Sequence, residues 1–345
     1  MVKKHKLLRW AAFFLGMMFL IIICFKPLNY YIESPGGATN ITPFVKINQQ
    51  KKHKKGQFMI TYVQLAQATP LSLILAKFKQ QDTIYTTMQI TGGANSKTYN
   101  RVQNFYMQNA IDEAIAVAYK AANKQVSAKY VGIFITSIAK KSYFSKQLRV
   151  GDTVTKINGH HFKNARGYQQ YLAKKTVNSK VTVTYIRNNV TKVVTNKLIN
   201  LGNSRAGLGI SLADNVKVTT TPKISVNPGQ IGGPSGGLMF SLEIYNQLIN
   251  NNLKHNQKIA GTGTIDLAGN VGEIGGIDKK VIAANKAGAA IFFAPYVKPT
   301  KLNKMIDGGA TNYQVAKKTI KKYHLKLKLV PVETFNDGIN YLAKH

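Results

Sequence analysis

Cysteine, tryptophan and acidic side chains are the scarce residues of this sequence. Among 345 residues there is one cysteine, Cys24, and one tryptophan, Trp10. A lone cysteine excludes an internal disulfide. Because Cys24 lies inside an apolar run, cysteine catalysis and a cysteine-based metal site are excluded as well. Any extracytoplasmic part of the chain must therefore be stable through its core. Asp and Glu number 13 against 48 Lys and Arg, a net charge of +35. Such a surface is drawn to polyanions: nucleic acid, anionic lipid or an acidic cell-wall polymer. The basic residues are scattered and lack interleaved stacking aromatics, so nucleic acid is not the expected partner and contact with cell wall or lipid is. A phosphate-binding loop is missing too. Gly92-Gly93-Ala94-Asn95-Ser96-Lys97-Thr98 has Ser96 where a glycine should precede the lysine, and no nucleotide motif occurs elsewhere.

What is present begins at the N-terminus. Lys3, Lys4, Lys6 and Arg9 precede an uninterrupted apolar stretch, residues 10–25, closed by Lys26 and Pro27. The length approaches that needed to cross a bilayer, and the basic flank places the N-terminus in the cytoplasm and the rest outside. No A-x-A-like site follows Phe25, and Cys24 is preceded by Ile23, so residues 1–28 read as a retained anchor rather than a cleaved signal. Residues 29–127 read as an α/β connecting region. It holds a turn at Ser34-Pro35-Gly36-Gly37, a solvated basic loop at 51–56, a strand over 58–65 and a helix opened by Thr69-Pro70 and running to Lys79. A β-rich run follows at 82–91. An amphipathic helix over 101–122 is expected to pack on a neighbouring domain or lead into one.

In residues 128–200 a strand at 130–135 is followed by Gly151-Asp152 and Asn158-Gly159 turns, a helix over 165–174 and a hairpin across Asn188-Asn189. The element order and the pattern Leu148-x-Val150-Gly151-Asp152-x-Val154-x-x-Ile157-Asn158-Gly159 resemble a PDZ domain. The resemblance implies a groove that adds a peptide as an extra strand, with Tyr130, Val131, Gly132 and Ile133 as its backbone cradle. His160 and His161 are adjacent, point to opposite faces of a strand and read as surface residues rather than metal ligands.

The stretch from Asn227 to Phe240 starts with turn residues and ends in an apolar run over 238–249 whose Leu238, Leu242, Tyr245 and Ile249 recur at helical spacing. Ser235 is therefore expected where a glycine-rich turn enters a buried helix, beside unpaired backbone N–H groups and a positive helix end. A serine there is either a helix cap or half of an acyl-transfer site. On a helix expected over 277–287, Lys280 shares a packed face with Ala283, Ala284 and Ala287, while Lys279 falls toward Lys286 on the solvated side. A lysine on a packed face either snorkels outward or loses its charge, and a neutral lysine is a competent base for a serine.

Two blocks, Gly233-Pro234-Ser235-Gly236-Gly237-Leu238 and Thr262-Gly263 through Gly275-Gly276-Ile277-x-x-Lys280-x-x-Ala283-Ala284, resemble the proteolytic domain of the Lon family of Ser–Lys peptidases. The resemblance implies Ser235 as nucleophile, Lys280 as its base and Thr262 as the residue orienting the lysine amine. It puts an oxyanion hole at backbone N–H groups around Gly233, Pro234 and Ser235, with Gly236 beside them. The chain departs from that pattern at Gly236, where the family often has Ala, and at Gly232, where many members carry an acid. It contains no ATPase module, so hydrolysis without ATP is expected. Of the histidines near this block, His255, His324 and His345, none sits in a motif with an acidic partner, which disfavours a Ser–His–Asp triad.

The expected protein is thus α+β: an N-terminal transmembrane helix, a PDZ-like β-rich domain at 128–200 and a Lon-type proteolytic α/β domain at 201–345. Taken together these parts resemble the membrane-anchored PDZ–Lon peptidases of Gram-positive bacteria. That likeness implies an extracytoplasmic serine endopeptidase acting on flexible peptides or unfolded segments, without cofactor or metal, and leaves a homo-oligomer open. The rival readings are a non-catalytic PDZ scaffold and a polyanion-binding surface protein.

Overall fold

The computed structural model describes residues 2–48, 55–250, 252–298 and 309–344. The basic loop expected at 51–56 lies mostly outside them, as does His345. Helix α1 (Val2–Phe25) is continuous. Its apolar part, His5–Phe25, is 21 residues long, about 32 Å at helical rise and enough for a hydrocarbon core of about 30 Å.

After α1 come β1 (Tyr30–Asn40), β2 (Val45–Ile47), β3 (Gln57–Gln67), α2 (Pro70–Phe78), β4 (Thr83–Thr86), α3 (Thr87–Thr91) and α4 (Ser96–Ala121). The expected turn at Ser34–Gly37 is instead the middle of β1, which pairs antiparallel with β3 on both sides of a bulge at Pro35/Gly37. The glycines there serve close packing: a Cβ on either would collide with Tyr62 of β3. The expected β-run at 82–91 stops at Thr86. That residue caps α3 through a reciprocal box with Gln89 (Gln89 N–H to Thr86 Oγ1 3.2 Å, Thr86 N–H to Gln89 Oε1 2.8 Å), and Gly92 ends the helix at φ +61°.

The chain then builds a five-stranded sheet. Its strands are β5 (Gln125–Ile138), β6 (Thr153–Ile157), β7 (Lys180–Arg187) and β8 (Val190–Lys197), with α5 (Ala165–Ala173) between β6 and β7. After the short pair β9 (Ile199–Asn200) and β10 (Ala206–Gly207) the fifth strand, β11 (Ile210–Thr221), returns antiparallel along the whole of β5. The spatial order is β11-β5-β6-β7-β8. Asn188 and Asn189, at φ +50° and +63°, make the β7–β8 turn. Asp152 accepts from Arg187 Nε (2.7 Å) and Nη2 (2.6 Å) and from Arg149 N–H (2.7 Å), which explains the Gly-Asp turn of the sequence pattern.

Beyond β12 (Ile224–Val226) follow α6 (Gly237–Leu248), β13 (Lys258–Gly261), β14 (Thr264–Ile265), β15 (Val271–Gly272) and α7 (Ile277–Lys286). The chain closes with β16 (Ile291–Pro295), α8 (Asn312–Tyr323), β17 (Lys328–Val332) and α9 (Phe335–Lys344). The main sheet runs β17-β16-β13-β3-β1-β4, and β17, β16, β13 and β3 are parallel neighbours. Alternation along its strands divides the core. Phe58, Ile60 and Phe293 pack with α4, α6 and α9 on one face, whereas Met59, Ala260 and Phe292 pack with α7 and α8 on the other.

Two expected boundaries change accordingly. Residues 29–127 are no separate connector, because β1, β3 and β4 complete the main sheet and α4 covers it. The PDZ-like sheet does not end at 200, because β11 is its outer strand. It is an insertion whose entry and exit lie side by side, Gln125 opposite Thr221. Local pattern reading cannot see a strand pairing that joins residue 57 to residue 258.

Candidate active site

Strand β13 ends at Gly261, and the chain turns at once through Thr262 and Gly263 (φ +153°) against the start of α6. This junction holds the serine. The Ser235 carbonyl accepts from Thr262 Oγ1 and from Gly263 N–H, both at 2.9 Å, and Leu238 N–H donates back to the Gly263 carbonyl at 3.1 Å. Gly236 and Gly237 are required by crowding. A Cβ on Gly236 would strike the Ile60 side chain, and one on Gly237 would sit 2.9 Å from the Ile265 backbone nitrogen. The departure from alanine after the serine therefore follows from Ile60 filling that space.

Lys280 approaches from α7, which starts at Gly276 in the left-handed conformation (φ +68°) and lies against β1 and β3. Lys280 Nζ is 2.8 Å from Ser235 Oγ and 3.3 Å from Thr262 Oγ1. The distance to Ser235 is that of a general base holding its proton donor. The Thr262 hydroxyl commits its own proton to the Ser235 carbonyl, so toward the lysine it can only accept. A neutral Lys280 that donates one N–H to Thr262 then directs its lone pair at Ser235 Oγ. Lys280 is 4% exposed and Thr262 fully buried. Burial lowers the lysine to about pKa 8, against a smaller upward pull from the carboxylate of Glu33.

Lys279 is buried as well, at 3%, where the helical pattern placed it in solvent. Its ammonium lies 2.9 Å from Asp278 and 3.5 Å from Glu33 of β1. Burial pulls its pKa down, but the two carboxylates together hold it above the ordinary lysine value. Glu33 is the residue that the sequence reading missed. Nothing local marks it; only the pairing of β1 within the main sheet brings it to α7.

Of the expected oxyanion donors, Gly233 N–H is already given to the Gln103 carbonyl of α4 at 3.0 Å, and Pro234 has no N–H. The Ser235 and Gly236 N–H groups have no hydrogen-bond partner among the described residues and are the donors left beside Oγ. Ser235 and Lys280 open into a cleft of about 1070 Å³ bounded by β1 and β3 (Tyr31, Glu33, Leu65), by α4 (Tyr99, Gln103) and by Glu273. Among the described residues no histidine lines it. His255 instead faces the Leu342 carbonyl at 3.0 Å.

One edge of the cradle expected at Tyr130–Ile133 is already taken by β11, and β6 meets its end at Ile133. On one side Tyr130 pairs with Val216, Gly132 with Asn215 and Ile133 with Asp214; on the other Ile133 pairs with Val154. A Cβ on Gly132 would run into the Val154 carbonyl. The outer strand is β11, and next to its start a cavity of about 440 Å³ lies between α5 (Arg166, Leu172) and the segment from Arg205 to Leu212. Gly207, Leu208 and Gly209, the last at φ +72°, line it. His160 and His161 are exposed.

Helix α4 joins the two parts. Gln103 faces the cleft, while Phe105 stacks on Phe134 of β5 with ring centroids 3.7 Å apart and Arg101 Nη1 donates to the Val150 carbonyl at 3.2 Å.

Comparison with known proteins agrees with both parts. The family described as "PDZ domain" matches residues 95–198, and that described as "Lon protease (S16) C-terminal proteolytic domain" matches residues 213–322. Among solved structures, the PDZ domain of an SdrC-like protein from Listeria monocytogenes is 26% identical, covering 24% of this chain and 90% of that one with a TM-score of 0.24. The corresponding domain from Listeria innocua is 25% identical over 24% of this chain and 96% of that one, again with a TM-score of 0.24. No curated protein matches the chain. With an apolar helix at its N-terminus that fits membrane anchoring, the chain is a PDZ-domain protein carrying a Lon-type (S16) serine peptidase domain.

Proposed function

We propose that this protein is a membrane-anchored, extracytoplasmic serine endopeptidase that cleaves flexible peptides or unfolded segments without ATP. The observation that carries the reading is the 2.8 Å contact between Ser235 Oγ and the buried Lys280 Nζ. Neutral Lys280 takes the serine proton as Oγ attacks the scissile carbonyl. The Ser235 and Gly236 N–H groups stabilise the oxyanion. The lysine ammonium then protonates the leaving amine, and water, activated by the same lysine, hydrolyses the acyl-enzyme. Substrate docks by adding to the free edge of β11 beside α5, and α4 carries the docked chain toward the cleft. The absence of any nucleotide-binding pattern supports ATP independence, and the basic flank of α1 supports an outside location.

The test uses the full-length protein in nanodiscs with an unstructured protein such as casein and no ATP. Cleavage is expected, unaltered by added ATP and lost in Ser235→Ala and in Lys280→Ala. Cleavage surviving both substitutions would overturn the dyad.

A further inference from the structure

Helix α2 is apolar on both sides. It is fixed by a capping box, with Thr69 N–H donating to Ser72 Oγ at 2.7 Å and Ser72 N–H to Thr69 Oγ1 at 3.3 Å, and by Pro70 in its first turn. Its inner side, Leu73 and Ala76, packs with Ile32, Ala68 and Ile84. Its outer side carries Leu71, Ile74, Leu75 and Phe78, which remain 39%, 55%, 50% and 82% exposed. Their spacing of i, i+3, i+4 and i+7 puts them on one face. A helix that offers four large apolar side chains to water on a single face is built to be covered.

Its place in the fold says by what. Helix α1 packs on α2. Three residues after α1 ends, Leu28 N–H donates to the Ala68 carbonyl at 2.8 Å, and Gln67 Nε2 donates to the Leu28 carbonyl at 3.2 Å. Thr87 N–H donates to the Asn29 carbonyl at 3.0 Å, which brings Met88 of α3, 67% exposed, to the same end of the sheet. Helix α2 thus lies beside the base of the anchor, with its outer face uncovered by the described residues. Lys26, Lys77 and Lys79 are exposed around it, and no acidic residue occurs between Thr69 and Gln81. Apolar side chains rimmed by lysines fit the headgroup boundary of a bilayer with anionic lipid.

We propose that α2, together with Met88, is a second membrane contact, lying in the interface of the bilayer that α1 crosses and sinking its outer face about 5–10 Å into the headgroup–acyl boundary. The proposal rests on the reading of α1 as an anchor. It fixes the protein at two points, so the main sheet takes a set tilt to the membrane. Glu33 lies five residues beyond Leu28, at most about 17 Å of chain, so the cleft opens close to the lipid surface.

Single-cysteine forms of the full-length chain, made in a Cys24→Ser background, test it. They are labelled with a polarity-sensitive fluorophore and reconstituted in vesicles of phosphatidylcholine and phosphatidylglycerol. Ile74→Cys and Phe78→Cys probe α2, Gly16→Cys probes the anchor, and Lys192→Cys on the exposed β7–β8 hairpin is the water control. The expected result is a blue shift at 74 and 78 and quenching by nitroxide-bearing lipid several-fold stronger than at 192. Labels at 74 and 78 that behave like 192 while 16 is quenched would overturn the proposal and leave the anchor standing. Absence of quenching at 16 would overturn the anchor, and the proposal with it. A blue shift at 74 and 78 without lipid quenching would mean that protein, such as a second copy of this chain, covers the face, and would also overturn it.

Discussion

Replacing Glu33 by Gln should shift the pH dependence of cleavage to lower pH. The base of the proposed mechanism is neutral Lys280, so kcat/KM must rise as pH climbs through the lysine pKa of the free enzyme. With that pKa at about 8, the neutral fraction is about one in eleven at pH 7, about half at pH 8 and about ten in eleven at pH 9, a rise of roughly tenfold. The value is depressed chiefly by burial, and the Glu33 carboxylate opposes the depression. Glutamine keeps the shape of Glu33 and removes its charge. It also leaves Lys279, now neutralised by Asp278 alone, as a stronger positive neighbour. Both changes destabilise the Lys280 ammonium, so the midpoint falls and neutral-pH activity rises relative to the alkaline plateau. The assay is kcat/KM on a quenched fluorogenic unstructured peptide, from about pH 6 to about pH 10, for the parent and Glu33→Gln in nanodiscs. A midpoint that stays put or moves upward would refute the electrostatic reasoning.

Lys280→Met should abolish cleavage yet stabilise the fold by about 1–3 kcal/mol at pH 7, because a lysine held about 2.5 units below its unfolded value costs about 3 kcal/mol while protonated. The unfolded chain binds the extra proton between about pH 8 and pH 10.5, so parent stability rises with pH across that window, and the melting advantage of Lys280→Met should shrink there. Thr262→Val removes both the acceptor for Lys280 and the donor to the Ser235 carbonyl. It should lower kcat by about 10–100-fold with little change in KM, and Thr262→Ser should restore most of the loss. Asp152→Ala strips Arg187 and the Arg149 N–H of their shared acceptor. It should cost the PDZ sheet about 3 kcal/mol, seen as faster amide exchange in β6–β8 while cleavage of short peptides continues.

What was legible in the sequence was local. The Thr69-Pro70 cap, the Asn188-Asn189 hairpin turn and the packed face of Lys280 with Ala283 and Ala284 each depend on residues within a few positions of one another, and each stands in the structure. What was not legible depends on which segments meet. Ser34–Gly37 has turn composition, but those glycines are there so that Tyr62 can lie across a strand. The stretch Tyr130–Ile133 looks like an open strand until β11, some eighty residues on, fills its edge. The pairing of Ser235 with Lys280 was suggested only by resemblance to a known pattern, since neither residue announces the other.

The neighbouring lysines of α7 show why composition and helical spacing stop short of the chemistry. Lys279 and Lys280 are the same residue type, adjacent, and 3% and 4% exposed, yet their pKa values move in opposite directions. Burial acts downward on both. The difference is the carboxylate 2.9 Å from Lys279, where Lys280 has two hydroxyls instead. A helical wheel placed Lys279 in solvent because it treats one side of a helix as free, but α7 is covered by β1 and β3 on one side and by α8 on another. Glu33 is the group that β1 inserts there. Its carboxylate lies 3.5 Å from the Lys279 ammonium and pulls Lys280 upward against the larger effect of burial, which in the proposed mechanism leaves the amine able both to accept the serine proton and to return it to a leaving group. A base depressed much further would be neutral at every working pH but too weak to pull the proton from a hydroxyl. Position 33 therefore adjusts, against the larger effect of burial, the working pH of the proposed dyad, to which it contributes no reacting atom.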